Sequence, residues 1–153
     1  MNDVAPILDK TDKAIIEALQ IDGRLSYSEL GPMVGLSQAA ARQRVKRLLD
    51  GGVMQVVAVT DPASLGFELQ ALIGISVTGD IRAVADALAD LDEIDYVVVT
   101  TGRFDVFAEV VCADTNALLD LVNDRIRSVP GVHSTEVFTY LSLVKQTYSW
   151  GTR

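Results

Sequence analysis

Ser37-Gln38-Ala39-Ala40-Ala41-Arg42-Gln43-Arg44-Val45-Lys46-Arg47-Leu48-Leu49-Asp50-Gly51-Gly52-Val53-Met54 carries the strongest local signal in this chain. Ser37 is a helix N-cap, and the Gly51-Gly52 pair ends the helix. Ala41, Val45, Leu48 and Leu49 follow the i, i+4, i+7, i+8 spacing of one buried stripe. Ser37, Gln38, Ala39, Arg42, Gln43 and Lys46 are left on or beside the outward surface, with Arg44 and Arg47 on its flanks. Small residues let a helix sit deep in a major groove, amides and arginines read base edges, and cations hold phosphates. The competing reading is an ordinary solvated face, with Arg44 or Arg47 paired to Asp50 or Glu29.

Two shorter helical segments precede this one. Asp9 caps a first helix of about a dozen residues, with Ile15, Ile16 and Leu19 inward, and Asp22-Gly23-Arg24 stops it. Ser26-Tyr27-Ser28-Glu29 is a capping box, in which serine and glutamate side chains reciprocally satisfy exposed backbone donors. The second helix is short, with Leu30 and Val34 inward and Gly35 at its end; Pro32 removes one helical hydrogen bond. Three helices ending on a cationic one form a helix-turn-helix unit, plain or winged.

Charge separates this unit from the rest. Residues 1–60 hold seven Lys/Arg and seven Asp/Glu, whereas residues 61–153 hold six and fourteen, so the whole net charge of -8 lies in the C-terminal part. Nucleic acid repels that part, and any contact with it belongs to the N-terminal helices. The opening Met1-Asn2-Asp3-Val4-Ala5-Pro6 has neither the basic start nor the apolar core of a signal peptide, and no apolar run approaches a membrane span. The lone Cys112 sits in an alternating apolar run as a buried thiol. With no disulfide framework and no metal-spaced Cys/His set, a cytoplasmic protein without metal or cofactor is expected.

Beyond Gly52, Val53–Val59 has strand composition, and Asp61-Pro62 breaks it. Ala71, Ile73, Ile75 and Val77 alternate as a strand. Asp80 caps a helix with Ile81, Val84, Ala85, Leu88 and Leu91 on one side. Ile94–Thr101 and Val106–Ala113 are strands joined through Gly102-Arg103-Phe104-Asp105. Asp114 caps a helix with Leu118, Val122, Ile126 and Val129 inward, and a last strand runs over Val132–Val144. The order βαββαβ is the ferredoxin-like split arrangement, with both helices on one sheet face. The fold class is α+β: residues 1–52 a helix-turn-helix domain, 53–67 a strand and linker, 68–153 a second domain. Phe107, Val111, Phe138 and Tyr140 leave the second sheet face apolar, which implies that an identical subunit covers it.

The chain resembles the Lrp/AsnC (feast/famine) family of transcription regulators from about Leu8 to Lys145. The resemblance rests on Leu8-Asp9-Lys10-Thr11-Asp12, Val34-Gly35-Leu36-Ser37, Arg44-Val45-Lys46-Arg47-Leu48, Gly52-Val53-Met54, Asp61-Pro62-Ala63-Ser64-Leu65-Gly66 and Thr101-Gly102-Arg103-Phe104-Asp105, in that order and spacing. Gly31-Pro32 departs from the family, which usually has plain helix there. The resemblance implies a DNA-binding domain joined to a ligand-sensing (RAM, ACT-like) domain. It further implies homodimers that assemble into tetramers or octamers on double-stranded DNA in the nucleoid, and an amino-acid-like effector that alters assembly or DNA affinity.

The resemblance also nominates Thr101, Gly102, Arg103, Phe104 and Asp105 as effector-binding, with Thr135 and Glu136 contributed by a neighbouring subunit. The chemistry suits a free amino acid: Asp105 takes an ammonium, while turn amides near Gly102 and the Arg103 guanidinium take a carboxylate. The alternative is that Gly102 only permits a tight turn and Asp105 bonds backbone. Two other functions compete. Siroheme decarboxylases are similar to this family, but one histidine, His133, and an acidic C-terminal half poorly suit a tetrapyrrole cleft. An effector-blind architectural protein is the other, and net negative charge opposes indiscriminate DNA coating. No nucleophile triad or phosphate loop is present, so a regulator rather than an enzyme is expected.

Overall fold

The computed structural model describes residues 7–149 together with 151 and 152. The opening segment read above for a leader lies outside them. The described residues divide into two compact units, Thr60–Val144 and the residues flanking it.

The first unit is built on three helices, α1 (Lys10–Ile21), α2 (Tyr27–Met33) and α3 (Gln38–Asp50). Each begins where a side chain can accept the first orphan backbone donors. Asp9 accepts from the Asp12 amide and Asp12 reciprocates, Ser26 and Glu29 form the second capping box, and Ser37 accepts from the Ala40 amide. Ile15, Ile16, Ala18, Leu30, Val45 and Leu48 make the shared core. Leu49 is 38% exposed and leaves the expected stripe, because at ~100° per residue it lies a further step toward the outward face than Leu48.

Gly31 explains the unusual Gly31-Pro32 pair. A Cβ on Gly31 would sit 2.8 Å from the Leu36 carbonyl oxygen and 3.3 Å from the Gln38 amide nitrogen, so α2 reaches the start of α3 only through a glycine. Pro32 falls in the last turn of α2, where its missing donor costs one bond of a helix that is already ending.

Val53–Val59 is not the strand expected from its composition. Residues 55–60 are exposed and irregular, with Val57 68% exposed, since no strand among the described residues lies beside them to complete a ladder. A single turn of 3-10 helix, Pro62–Leu65, follows, capped by Asp61.

The second unit runs β1 (Leu69–Val77), α4 (Ile81–Ala89), β2 (Ile94–Val99), β3 (Val106–Cys112), α5 (Thr115–Asp120) and β4 (Val132–Thr139). The sheet order is β2-β3-β1-β4, with every neighbouring pair antiparallel. Ala71, Ile73 and Ile75 of β1 face Val84, Ala85 and Leu88 of α4 and Leu118, Leu121 and Ile126 on the other helix, together with Val106, Ala108, Val110 and Cys112.

Two features of this unit differ from the sequence reading by more than two residues. After Asp120 the second helix widens into a π-helical turn, Leu121–Ile126. Leu121, three positions after Leu118, shares its inward face, and the wider turn keeps Ile126 on that face five positions later, while Val122 and Val129 are only partly buried. The last strand stops at Thr139 rather than Val144, because β1 has nothing left to pair beyond the Tyr140 amide, which donates to the Gln70 carbonyl at 2.8 Å. Leu141 and Val144 are accordingly 98% and 92% exposed. Cys112 is buried, and burial raises its thiol above the ordinary range. No helix among the described residues is long and apolar enough to cross a membrane.

Candidate functional site

The outward surface of α3 collects the residues that its periodicity selects. Ser37, Gln38, Ala39, Arg42, Gln43 and Lys46 line one open concavity of about 590 Å³. The capped start of α3 supplies Ser37, and the two following turns supply the amides and cations. Lys46 pairs with Asp50 one turn further along the helix, and Arg42 makes no ion pair among the described residues. Amides, a small residue and an unengaged guanidinium on one exposed helix face suit base edges and phosphates.

Arg44 and Arg47 are placed differently. Neither pairs with Asp50 or Glu29; both turn toward the start of α1. Arg44 Nη1 donates to Asp9 Oδ2 at 2.7 Å and to Asp12 Oδ1 at 2.9 Å. Arg47 Nη2 donates to both oxygens of Asp12, at 2.7 and 2.8 Å. Asp12 is only 2% exposed and is the buried charged residue of the described chain. The hydrogen bond from Arg44, then that from the Asp12 amide, holds the Asp9 carboxyl below its ordinary range. Asp12 was legible only as part of the opening motif; its partners lie 32 and 35 residues away.

In the second unit the loop between β2 and β3 folds back over the sheet. Gly102 carries a φ of 121°, a conformation that favours glycine. The Thr100 hydroxyl donates to the Phe104 carbonyl at 2.7 Å, and Thr101 and Gly102 are exposed. Asp105 accepts the Val77 amide at 2.8 Å, while its own amide donates to the Ile75 carbonyl at 3.0 Å. In this chain, then, the carboxylate bonds backbone, as in the plainer of its two readings, though the backbone is that of β1 rather than of the turn.

Phe104 is 9% exposed, because its ring seats on Gly74 of β1. Phe107 and Phe138 meet that ring edge-on, with centroids at 5.5 and 6.0 Å. The ring nominated for the effector is thus packed on its own sheet in this chain. The Arg103 guanidinium lies 5.3 Å from the centre of the same ring and pairs with Glu136 at 2.9 Å. Arg103 and Glu136, both nominated for the effector, therefore meet within one chain.

Thr135 does not join them. It is paired with the core residue Ile75 in the sheet register, so it sits on the helix side, where Arg127 Nε donates to its hydroxyl at 3.2 Å. Gly74, which no sequence signal marked, is the residue that lets the loop close. A separate concavity of about 600 Å³ is lined by Phe67, Glu93, Cys112, Ala117, Leu121 and Arg125 among others, and none of the seven nominated effector residues borders it. No group of His, Cys, Asp and Glu among the described residues is arranged to hold a metal ion.

Comparison with known proteins agrees with this two-part organisation. Residues 8–49 match the model of the AsnC-type helix-turn-helix domain, and residues 68–153 match that of a C-terminal dimeric alpha+beta barrel domain of the AsnC series. An HTH-type transcriptional regulator of Pyrococcus furiosus is 34% identical over 94% of this chain and 98% of its own length. The crystal structure of a Neisseria meningitidis transcriptional regulator in complex with L-Met is 33% identical, covers 94% of this chain and 96% of that one, and superposes with a TM-score of 0.81. The leucine response regulatory protein LrpA of Mycobacterium tuberculosis is 28% identical, with a TM-score of 0.86 over 95% of this chain and 100% of that one.

Proposed function

Because this chain belongs to the Lrp/AsnC family of helix-turn-helix transcriptional regulators, we propose that it reads duplex DNA with the outward face of α3 and senses an amino-acid-like effector through its second unit. The carrying observation is the concave face of Ser37, Gln38, Ala39, Arg42, Gln43 and Lys46, which stands apart from the arginines tied to α1. In this reading Gln38 and Gln43 meet base edges while Arg42 and Lys46 hold phosphates or guanine. Arg44 and Arg47 support the helix and contribute positive potential.

The protein works as a homodimer that places two α3 helices in successive major grooves. It assembles further into tetramers or octamers, and it acts in the cytoplasm at the nucleoid. The effector is an amino acid or a similar metabolite, by analogy with the L-Met complex of the Neisseria regulator. It meets the exposed loop at Thr101, Gly102 and Arg103, and its carboxylate competes with Glu136 for the Arg103 guanidinium. No catalytic step and no resident cofactor belong to this reading. The effector acts by binding one assembly state more tightly than another.

The test uses a duplex selected by the protein from a random-sequence pool. Arg42→Ala combined with Lys46→Ala weakens binding to it by at least ~10-fold at ~0.1 M salt. The same pair of changes reduces the slope of log affinity against log salt by about two, the loss of two phosphate contacts. Unchanged affinity and slope in a folded variant overturn the assignment of this face.

A further inference from the structure

We infer that Asp12 is a positioning residue for DNA reading: its buried carboxylate fixes the rotation of α3 about its own axis and so the register of the reading face. The inference rests on the proposed reading of DNA by α3 and deepens it.

The argument starts from the start of α1. Asp9 and Asp12 form a reciprocal capping box, in which the Asp12 amide donates to Asp9 Oδ1 at 2.8 Å and the Asp9 amide donates to Asp12 Oδ2 at 3.3 Å. Capping uses only part of the lone-pair capacity of two carboxylates. The rest is taken by α3: one guanidinium nitrogen of Arg44 bridges Asp9 and Asp12, and one of Arg47 spans both oxygens of Asp12. Helix start and receptacle for a second helix are the same four-residue device.

Its geometry constrains rotation. Arg44 and Arg47 lie three positions apart, so their side chains leave α3 from nearly the same side one turn apart. Two charge-assisted anchors on one side of a cylinder oppose both rolling and sliding. At ~100° per residue, Arg42 and Lys46 lie on the far side of α3 from Arg44, ~160° to ~200° away. A roll of a few degrees at the anchors therefore moves the reading face sideways in the groove by a corresponding arc. Apolar packing of Ala41, Val45 and Leu48 leaves such a roll cheaper, since it is not directional. A charge-assisted bond is directional and shorter.

Burial adds to the constraint. Asp12 is 2% exposed, whereas the side chains of Arg44 and Arg47 are 29% and 63% exposed. Water cannot replace the arginines at Asp12, and moving either arginine to a DNA phosphate leaves a buried carboxylate short of partners. The clamp thus keeps these two cations out of competition for the backbone and leaves binding to be decided by Gln38, Arg42, Gln43 and Lys46.

The test compares two duplexes, one selected by the wild-type protein from a random pool and one with the same composition in scrambled order. In the full-length protein, Asp12→Asn keeps the shape of the side chain and removes its charge. Arg47→Lys keeps the cation but ends one bond nearer the backbone than the guanidinium nitrogen, short of the point between the two Asp12 oxygens. Both variants are expected to lower the ratio of selected to scrambled affinity by ~10-fold or more. Scrambled-duplex affinity stays within ~3-fold of wild type, and cooperative thermal unfolding is retained.

A ratio equal to wild type overturns the inference. So does a parallel loss on both duplexes that tracks loss of helix, which marks Asp12 as a support of the fold alone. If Asp12→Asn does not fold, Arg47→Lys decides by the same ratio. Failure of the parent reading is separable, because then the wild-type protein itself shows no selected duplex.

Discussion

Phe104 and Gly74 show how a single small residue determines the shape of the candidate sensor loop. A Cβ on Gly74 would lie 2.7 Å from two atoms of the Phe104 ring. Phe107 and Phe138 hold that ring edge-on from either side, so it has little room to step away. Gly74→Ala is therefore expected to destabilise the protein by ~1–3 kcal/mol, the usual range for overpacking, read as a lower urea midpoint. In a Phe104→Ala background the same change becomes neutral or slightly stabilising, because alanine loses less entropy than glycine in a strand. A double-mutant cycle without coupling would refute the contact. None of this was legible beforehand: Gly74 and Phe104 lie 30 positions apart, and a glycine inside an alternating run says only that some backbone or ring comes close. What the sequence did show at this scale was local chemistry, such as Ser26 with Glu29, where both partners fall within one turn.

At the scale of elements, local signals set the starts of helices well and long-range ones set the ends of strands. Asp9, Ser26, Ser37, Asp80 and Asp114 all cap the helices that they were expected to cap. Val53–Val59 failed as a strand and β4 stopped early because a strand needs a neighbour, which composition cannot supply. The π-helical turn at Leu121–Ile126 likewise escapes a period of 3.6. The caps carry a pH consequence. The Asp9 carboxyl lies below its ordinary 3.8, chiefly through its hydrogen bond from Arg44, and that of Glu29 lies below 4.5, chiefly through Ser26. A carboxylate with a lowered folded value favours the fold above its unfolded value and loses that contribution as pH falls through the folded one. The helical unit is thus expected to weaken below pH 4.5, and increasingly below 3.8. Far-UV circular dichroism in urea at stepped pH reads this. Asp9→Asn should be less stable than wild type near neutrality and lose less on acidification; equal acid sensitivity in both proteins would contradict the assignment.

The whole molecule poses a problem of balance, since its second unit carries a large negative charge and an apolar sheet face together. Helices α4 and α5 cover one face, while Leu72, Phe107, Val111 and Phe138 lie on the other, with Phe138 41% exposed. Glu109 on that face is partly satisfied within the chain, because the Tyr140 hydroxyl donates to it at 3.0 Å. Desolvation, then that bond, pushes the Tyr140 hydroxyl up to about 12, so it stays a donor across the neutral range. A face whose polar groups partly satisfy each other and whose aromatic rings are half covered is suited to close on a second copy, as the dimeric barrel model matched by residues 68–153 describes. Phe138→Asp places a charge at the centre of such a contact with no partner to satisfy it, a cost of several kcal/mol. Light scattering should then report a single chain of 16.5 kDa in place of at least twice that mass, with the helical and sheet content retained. The monomer should also bind a selected duplex much more weakly, since the second α3 no longer enters at the effective concentration of a linked site. An unchanged mass would move the subunit contact off this sheet face. A changed mass with unchanged DNA affinity would instead separate assembly from recognition, and leave each α3 reading its half-site alone.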